Sequence, residues 1–185
     1  MMNLLPLAIP GALPEADCAR LRMLASARGW REGGLVGGRV DQDLRRAGLV
    51  WVDDLSGTGW VGDRIAALVA EANRTRFGFD LADFAESAQI ARYEAEQEGH
   101  FHWHSDVGQG PVAARRKLTV VIQLSDPADY EGGELQTWAG AEPVAHRRGL
   151  GDAVVFPSFL LHRVTRVTRG ARVSLTQWVH GPAFR

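Results

Sequence analysis

Residues 171–179 read Ala171-Arg172-Val173-Ser174-Leu175-Thr176-Gln177-Trp178-Val179. On an extended strand successive side chains point to opposite faces, so Val173, Leu175 and Val179 share one face and Arg172, Ser174, Thr176 and Trp178 the other. A polar row headed by an arginine costs free energy if it faces inward, unless something binds there. The alternative is an outward, solvated face, and this strand alone does not choose between them.

Working outward, six more runs in the second half are rich in strand formers and punctuated by Gly, Pro and Asp: Ser87 to Glu94, His100 to Asp106, Lys117 to Ser125, Gly133 to Trp138, Asp152 to Phe156 and Leu161 to Val167. From Lys117 to Ser125, Leu118, Val120, Ile122 and Leu124 form a fully apolar face, with Thr119, Val121, Gln123 and Ser125 opposite. Seven short strands imply a sandwich or barrel. The first half reads differently. Cys18, Leu21, Leu24 and Ala25 share a helical face between Pro14 and Arg28, with Gly29 as a stop, and Ile65, Leu68, Val69 and Ala72 repeat the pattern before Asn73. Gly33-Gly34 and Gly37-Gly38 suggest turns, and the stretch containing Trp51 and Trp60 has no regular period. The expected architecture is mainly β with flanking helices. Residues 1–75 form a helical N-terminal support within one domain, and residues 86–183 form its β core.

Composition narrows the partners. The chain has 185 residues, 45% hydrophobic and 23% charged, with a formal net charge of −1, as expected of a soluble globular domain. Lys117 is the one lysine among 21 basic residues, balanced by 22 acidic ones, so no basic field attracts nucleic acid or anionic lipid. The single cysteine, Cys18, cannot form an intramolecular disulfide and reads as a small core residue in a reducing compartment. The uncharged stretch from Met1 to Pro14 holds three prolines and no basic lead, so neither a secretory signal nor a membrane span is expected, and the location expected is cytoplasmic.

Half of the six histidines fall in His100-Phe101-His102-Trp103-His104-Ser105-Asp106. His104 and Asp106 share a strand face and can hold one ion. His162, in Phe156-Pro157-Ser158-Phe159-Leu160-Leu161-His162, is the candidate for a further ligand. Two histidines and one carboxylate leave coordination positions open and suit non-haem Fe(II). A His-x-Asp tripeptide is by itself a weak signal. Arg172 and Ser174 follow ten and twelve residues after His162, and an arginine fork with a hydroxyl beside it suits a dicarboxylate co-substrate. The competing reading places Arg172 on the surface with Arg163, Arg166 and Arg169, which are expected before a turn at Gly170. His100 and His102 read as a polar rim or as support for the ligands, His146 as loop surface, and Asp129, Tyr130 and Glu131 as residues shaping the Gly132-Gly133 turn.

These motifs are ordered as in a known family. Gln89-Ile90-Ala91-Arg92-Tyr93, His104-Ser105-Asp106, Arg116-Lys117-Leu118-Thr119, Leu124-Ser125-Asp126-Pro127, Gly132-Gly133-Glu134-Leu135, Gly151-Asp152, Phe156-Pro157-Ser158, His162-Arg163-Val164, Gly170-Ala171-Arg172-Val173-Ser174 and Trp178 together resemble the Fe(II)/2-oxoglutarate oxygenases of the prolyl/lysyl-hydroxylase type, in particular small bacterial members. The resemblance implies a double-stranded β-helix, or jelly roll, with Fe(II) on His104, Asp106 and His162. It implies 2-oxoglutarate as co-substrate and O₂ as oxidant, with ascorbate as an accessory. Arg172 would hold the far carboxylate, helped by Tyr93 and Ser174, while Leu135 and Trp178 would line the pocket. The family's tyrosine near Ile122 is absent here, which leaves the second donor to that carboxylate open.

The same residues disfavour neighbouring groups. No glutamate follows His102 and His104 where a cupin needs one, Asp106 stands where radical halogenases carry a small residue, and Trp178 occupies the position of a second arginine in nucleic-acid dealkylases. What remains is a hydroxylase of protein or peptide side chains of the Pro or Lys type, a hydroxylase of a free amino acid or small metabolite, or a non-catalytic metal-binding jelly roll. The oligomeric state is open.

Overall fold

The alternating runs form antiparallel strands in two sheets. In the computed structural model, residues 3–33 and 41–184 are described. The strands are β1 (Leu7–Ile9), β2 (Arg31–Glu32), β3 (Arg45–Arg46), β4 (Gly48–Trp51), β5 (Gln89–Glu94), β6 (His100–His104), β7 (Arg116–Gln123), β8 (Tyr130–Gly132), β9 (Leu135–Trp138), β10 (Val144–Ala145), β11 (Ala153–Pro157), β12 (Leu161–Val164) and β13 (Val167–His180). The larger sheet runs β1-β11-β7-β13-β5-β4-β2, with β8 also pairing β13, and the smaller runs β10-β9-β12-β6-β3. The fold is a mainly β jelly roll carrying helices.

Two helices, α1 (Glu15–Arg28) and α2 (Gly59–Ala72), cover one face of the larger sheet. Their apolar stripes, including Cys18, Leu21, Ile65 and Val69, share one core with Leu118, Val120, Ile122, Val173, Leu175 and Val179. Truncating a wholly buried residue there, such as Leu175→Ala, costs about 2–5 kcal/mol. Burial also pushes the Cys18 thiol up to about 11, so it stays protonated and inert at neutral pH.

With Val173, Leu175 and Val179 packed on the helices, the alternation of β13 turns Arg172, Ser174 and Trp178 to its opposite face, where all three are buried. The inner faces of the two sheets meet through Ala91 and Tyr93 with Val164, and through Val121, Val154 and Phe156 with Leu135. The polar row of β13 therefore faces into the barrel.

Several expectations are corrected. Gly170 does not end a strand: it lies within β13 at φ +67°, where a Cβ would stand 2.0 Å from the Asp129 carbonyl oxygen. Close crossing of the chain at Asp129, not a reversal, is what requires glycine there. Arg169 thus belongs to the same strand as Arg172, pairs with Glu131 at 2.9 Å and is exposed. The strand from Leu161 stops at Val164, and that from Gly133 begins at Leu135 because Gly132 and Gly133 both take positive φ. The irregular Trp51–Trp60 stretch holds the end of β4, a 3₁₀ turn and the start of α2. Residues 1–75 contribute β1 to β4 to the sheets as well as the helices. Of the expected glycine turns, all but Gly33 fall outside the described residues. Among the described residues no helix is long and apolar enough to cross a membrane.

Candidate active site

Register brings the first two candidate ligands together: His162 on β12 pairs directly with His104 on β6. Asp106 follows β6 by two residues and its backbone N–H donates to Ser158 O at 2.9 Å, which turns its carboxylate back toward the pair. One ligand atom from each of His104, Asp106 and His162 lies within 4.8 Å of the others, and Asp106 and His162 are buried. His104 Nε2 stands 3.7 Å from Asp106 Oδ1, and His162 Nε2 stands 3.4 Å from Oδ2.

Each imidazole is oriented from behind. His104 Nδ1 lies 2.7 Å from His102 O and His162 Nδ1 lies 3.0 Å from Leu160 O. A carbonyl can only accept, so Nδ1–H is the donor in each ring and Nε2 is the nitrogen turned toward an ion, as a lone pair on His104 and, once any proton there is displaced, on His162. Phe101 stacks on His104 at 3.5 Å between centroids, and Phe156 packs on His162 at 4.8 Å. Asp106 Oδ2 accepts from Thr119 Oγ1 at 2.8 Å.

Electrostatics agree with the geometry. Burial and the neighbouring His162 push His104 down to about 3, so it is neutral at ordinary pH. Burial alone would raise Asp106, but attraction and a hydrogen bond from His162, attraction to His104 and the Thr119 hydroxyl outweigh it and hold the carboxyl well below the usual range. Burial likewise opposes protonation of His162, but Asp106 outweighs it and the imidazole is raised. A neutral imidazole, a carboxylate and a second imidazole carrying one displaceable proton make a donor set that can hold a divalent cation.

Deeper along β13, Arg172 is 2% exposed. Its Nε donates to Gln123 Oε1 at 3.1 Å, and Gln123 Nε2 donates to Tyr130 Oη at 2.8 Å. Its Nη1 is buried without a partner among the described residues, and a guanidinium in that state suits an anion. A narrow recess lined by Val121, Gln123, Leu135, Val154 and Arg172 opens there. Tyr93 pairs with Arg172 in register, and Ser174 is buried opposite Gln123. Trp178 sits toward the other end of the face, opposite Thr119, its ring 4.1 Å from the Arg116 guanidinium and its Nε1 without a partner among the described residues. All the predicted site residues therefore lie on the barrel's inner side or at its rim.

On sequence alone Thr119, Gln123, Tyr130 and Arg116 have no role in the site, although Arg116 and Thr119 stand in a family motif and Tyr130 reads as part of a turn. Tyr130 is 1% exposed and points into the Arg172 cluster, although its position before two glycines suggested a turn. No sequence pattern marks it, because its place beside Arg172, like that of Tyr93, comes from the pairing of strands. His100 is a structural tie, with its ring nitrogens 2.7 Å from Glu98 O and 3.1 Å from Asp43 O, whereas His102 is exposed. His146 lies 2.8 Å from Thr137 Oγ1 and is half-buried, not free loop surface.

Comparison with known proteins follows the same line. Residues 88–180 match the model of the 2OG-Fe(II) oxygenase superfamily. A PKHD-type hydroxylase of Paraburkholderia phytofirmans is 32% identical over 163 residues, covering 76% of this chain and 71% of its own length. The PKHD-type hydroxylase YbiX of Escherichia coli is 30% identical over 174 residues, covering 92% of this chain and 76% of its own. A Pseudomonas putida prolyl-4-hydroxylase superposes with a TM-score of 0.73 at 24% identity, over 95% of this chain and 92% of that one. A Trichoplax adhaerens prolyl hydroxylase, solved with a peptide fragment of the hypoxia inducible factor oxygen degradation domain, gives a TM-score of 0.77 at 16% identity, over 95% and 83%. The chain belongs to the 2OG-Fe(II) oxygenase superfamily, as a small member similar to the prolyl-4-hydroxylase and PKHD types. It is a 2-oxoglutarate-dependent oxygenase, and its family implies Fe(II) and 2-oxoglutarate.

Proposed function

We propose that this protein hydroxylates an unactivated C–H bond of a protein or peptide side chain of the Pro or Lys type. His104, Asp106 and His162 hold Fe(II), and Arg172 holds the far carboxylate of 2-oxoglutarate. The observation that carries this reading is the pairing of a three-ligand cluster, built at β6 and β12 of the smaller sheet, with a buried guanidinium on the inward face of β13 in the larger sheet, whose Nη1 has no partner among the described residues. The donor chemistry suits the ion, and the orphaned cation suits a dicarboxylate.

With 2-oxoglutarate and O₂, the iron supplies the oxidising power that converts R–H to R–OH while 2-oxoglutarate leaves as succinate and CO₂. The chain's part is binding, orientation and exclusion. The His102 and Leu160 carbonyls fix both imidazole rings, and Thr119 holds one oxygen of Asp106. Tyr130 adds its hydroxyl to Arg172 as the second donor to the far carboxylate. Burial raises the Tyr130 phenol even against the pull of Arg172, so it stays protonated and able to donate. Leu135, Val121 and Val154 keep water from the chain of the co-substrate, and Trp178 borders the space left for the substrate. The prolyl hydroxylase neighbours, one with a bound peptide, favour a polypeptide substrate over a free amino acid.

The test is turnover of 2-oxoglutarate to succinate with Fe(II), first alone and then with peptide libraries or free amino acids. Stimulation by Pro- or Lys-containing peptides is expected. Stimulation by free amino acids alone overturns the choice of substrate, and no succinate under any condition overturns the catalytic reading.

A further inference from the structure

A second polar cluster, behind the candidate ligands, has no part in the reading above. Arg116 is 4% exposed, and its guanidinium makes contacts on every side. Nη1 donates to the backbone oxygen of Asp106 at 3.0 Å. Nε donates to Glu86 Oε2 at 2.6 Å, and Nη2 donates to Glu86 Oε1, a bidentate pairing. The group also lies over the Trp178 ring.

Glu86 is held in turn. Its Oε2 stands 3.0 Å from His180 Nε2, and His180 is wholly buried. The Ala85 N–H donates to His180 Nδ1 at 3.2 Å, so Nδ1 is the bare nitrogen and Nε2–H donates to the carboxylate. Gln177 Nε2 donates to Glu86 O at 2.8 Å, tying the backbone of the same residue to β13. Burial would raise the Glu86 carboxyl, but Arg116 and His180 outweigh it and keep it below its ordinary value.

We infer that Arg116, buttressed by Glu86 and His180, is a positioning group for the metal site, setting through the Asp106 carbonyl the angle at which the Asp106 carboxylate meets the ion. Asp106 needs such a clamp because it lies past the end of β6, outside the ladder that holds His104 and His162. Thr119 and the Ser158 carbonyl fix its carboxylate and N–H, and Arg116 fixes the remaining backbone polar group. Three attachments leave the residue little freedom to swing. A guanidinium suits the task because its planar fork binds Glu86 on one edge and still presents a donor on the other. The inference rests on the reading of His104, Asp106 and His162 as ligands.

The experiment is titration of the metal-free full chain with Co(II), following affinity and the ligand-field absorption spectrum, which reports coordination geometry apart from turnover. Loss of outer contacts at metal sites commonly weakens binding about 10–100-fold. Arg116→Met, which keeps a stem over Trp178 but no donor, should weaken Co(II) binding by about that factor and alter the spectrum. Glu86→Gln should give a smaller loss, and His180→Gln, which keeps an N–H for Glu86, should stay near the parent. Arg115→Gln is the control: Arg115 anchors the same corner through Asp83 and Gly181 but does not touch Asp106. Parental affinity and spectrum in a folded Arg116→Met overturn the inference. If that variant does not fold, parental values for Glu86→Gln do so, as does an equal loss in Arg115→Gln. Failure of the parent itself to bind Co(II) would instead overturn the ligand assignment.

Discussion

Arg172 and Tyr93 stand directly opposite each other across β13 and β5, with the guanidinium carbon 5.7 Å from the ring centroid. The ring supports one side of the cation and Gln123 engages Nε, so Nη1, which has no partner among the described residues, is presented in a set direction. A carboxylate arriving there gains a charge-assisted hydrogen bond without reorganising the arginine. Arg172→Leu removes the cation and leaves the carboxylate buried and unpaired. At about 3 kcal/mol for a broken buried pair, the requirement for 2-oxoglutarate should rise about 100-fold, with Co(II) affinity unchanged. Titration of 2-oxoglutarate against succinate formation checks the first outcome, and metal titration the second.

Tyr130 is expected to matter less, and in the same direction. Tyr130→Phe keeps the ring and removes only the hydroxyl that accepts from Gln123. A hydrogen bond to a charged group contributes about 1.5–3 kcal/mol, so the 2-oxoglutarate requirement should rise at least about tenfold. Combining it with Arg172→Leu should give less than the sum, because the two groups share Gln123 and the same anion.

The fold was legible where one face of a strand is uniformly apolar. Leu118, Val120, Ile122 and Leu124 declare the helix-facing side of β7, and Val173, Leu175 and Val179 do the same for β13. Which face turned inward could not be decided from β13 alone, because a buried polar row and a solvated one have the same sequence pattern. His104, Asp106 and His162 were legible by spacing and by likeness to a family. Tyr130 and Arg116 were not, since what makes them notable is contact between segments whose nearness only the fold reveals: Tyr130 meets Gln123 and Arg116 meets Glu86. Gly170 misled for the same reason, its constraint arising from Asp129 on a neighbouring segment.

Metal binding should release one proton in mildly acidic solution. His104 is already neutral there, whereas His162 is raised by Asp106 despite its burial. A raised imidazole adds stability to the metal-free chain that is fully present below the unfolded value near 6.5 and is lost as pH climbs through the folded value. An ion must displace that proton, so affinity should rise with pH until His162 is neutral and then level off with respect to this group. Calorimetry of Co(II) binding in two buffers of different ionisation enthalpy checks the count. About one proton is expected at pH 6, the count falling only as pH climbs through the raised folded value of His162, and two at pH 6 would mean that His104 is also protonated.

Gly170 should couple the stability of the chain to co-substrate binding. It holds φ +67° inside β13, two residues before Arg172, and the Asp129 carbonyl oxygen occupies the space a side chain would need. Gly170→Ala must therefore meet both a left-handed backbone and a backbone contact that no rotamer relieves. The first costs about 1 kcal/mol, and the second brings the total to about 2–4 kcal/mol. For a chain of this length that lowers Tm by about 5–15 °C. The chain relaxes by moving β13 away from β8, which pairs with it at Gly170 and carries Tyr130. The 2-oxoglutarate requirement should rise severalfold even at temperatures where the variant is folded, while Co(II) affinity stays close to the parent. A lowered Tm with unchanged 2-oxoglutarate titration would show that Tyr130 keeps its place when β8 is disturbed, or that it has no part in holding the co-substrate.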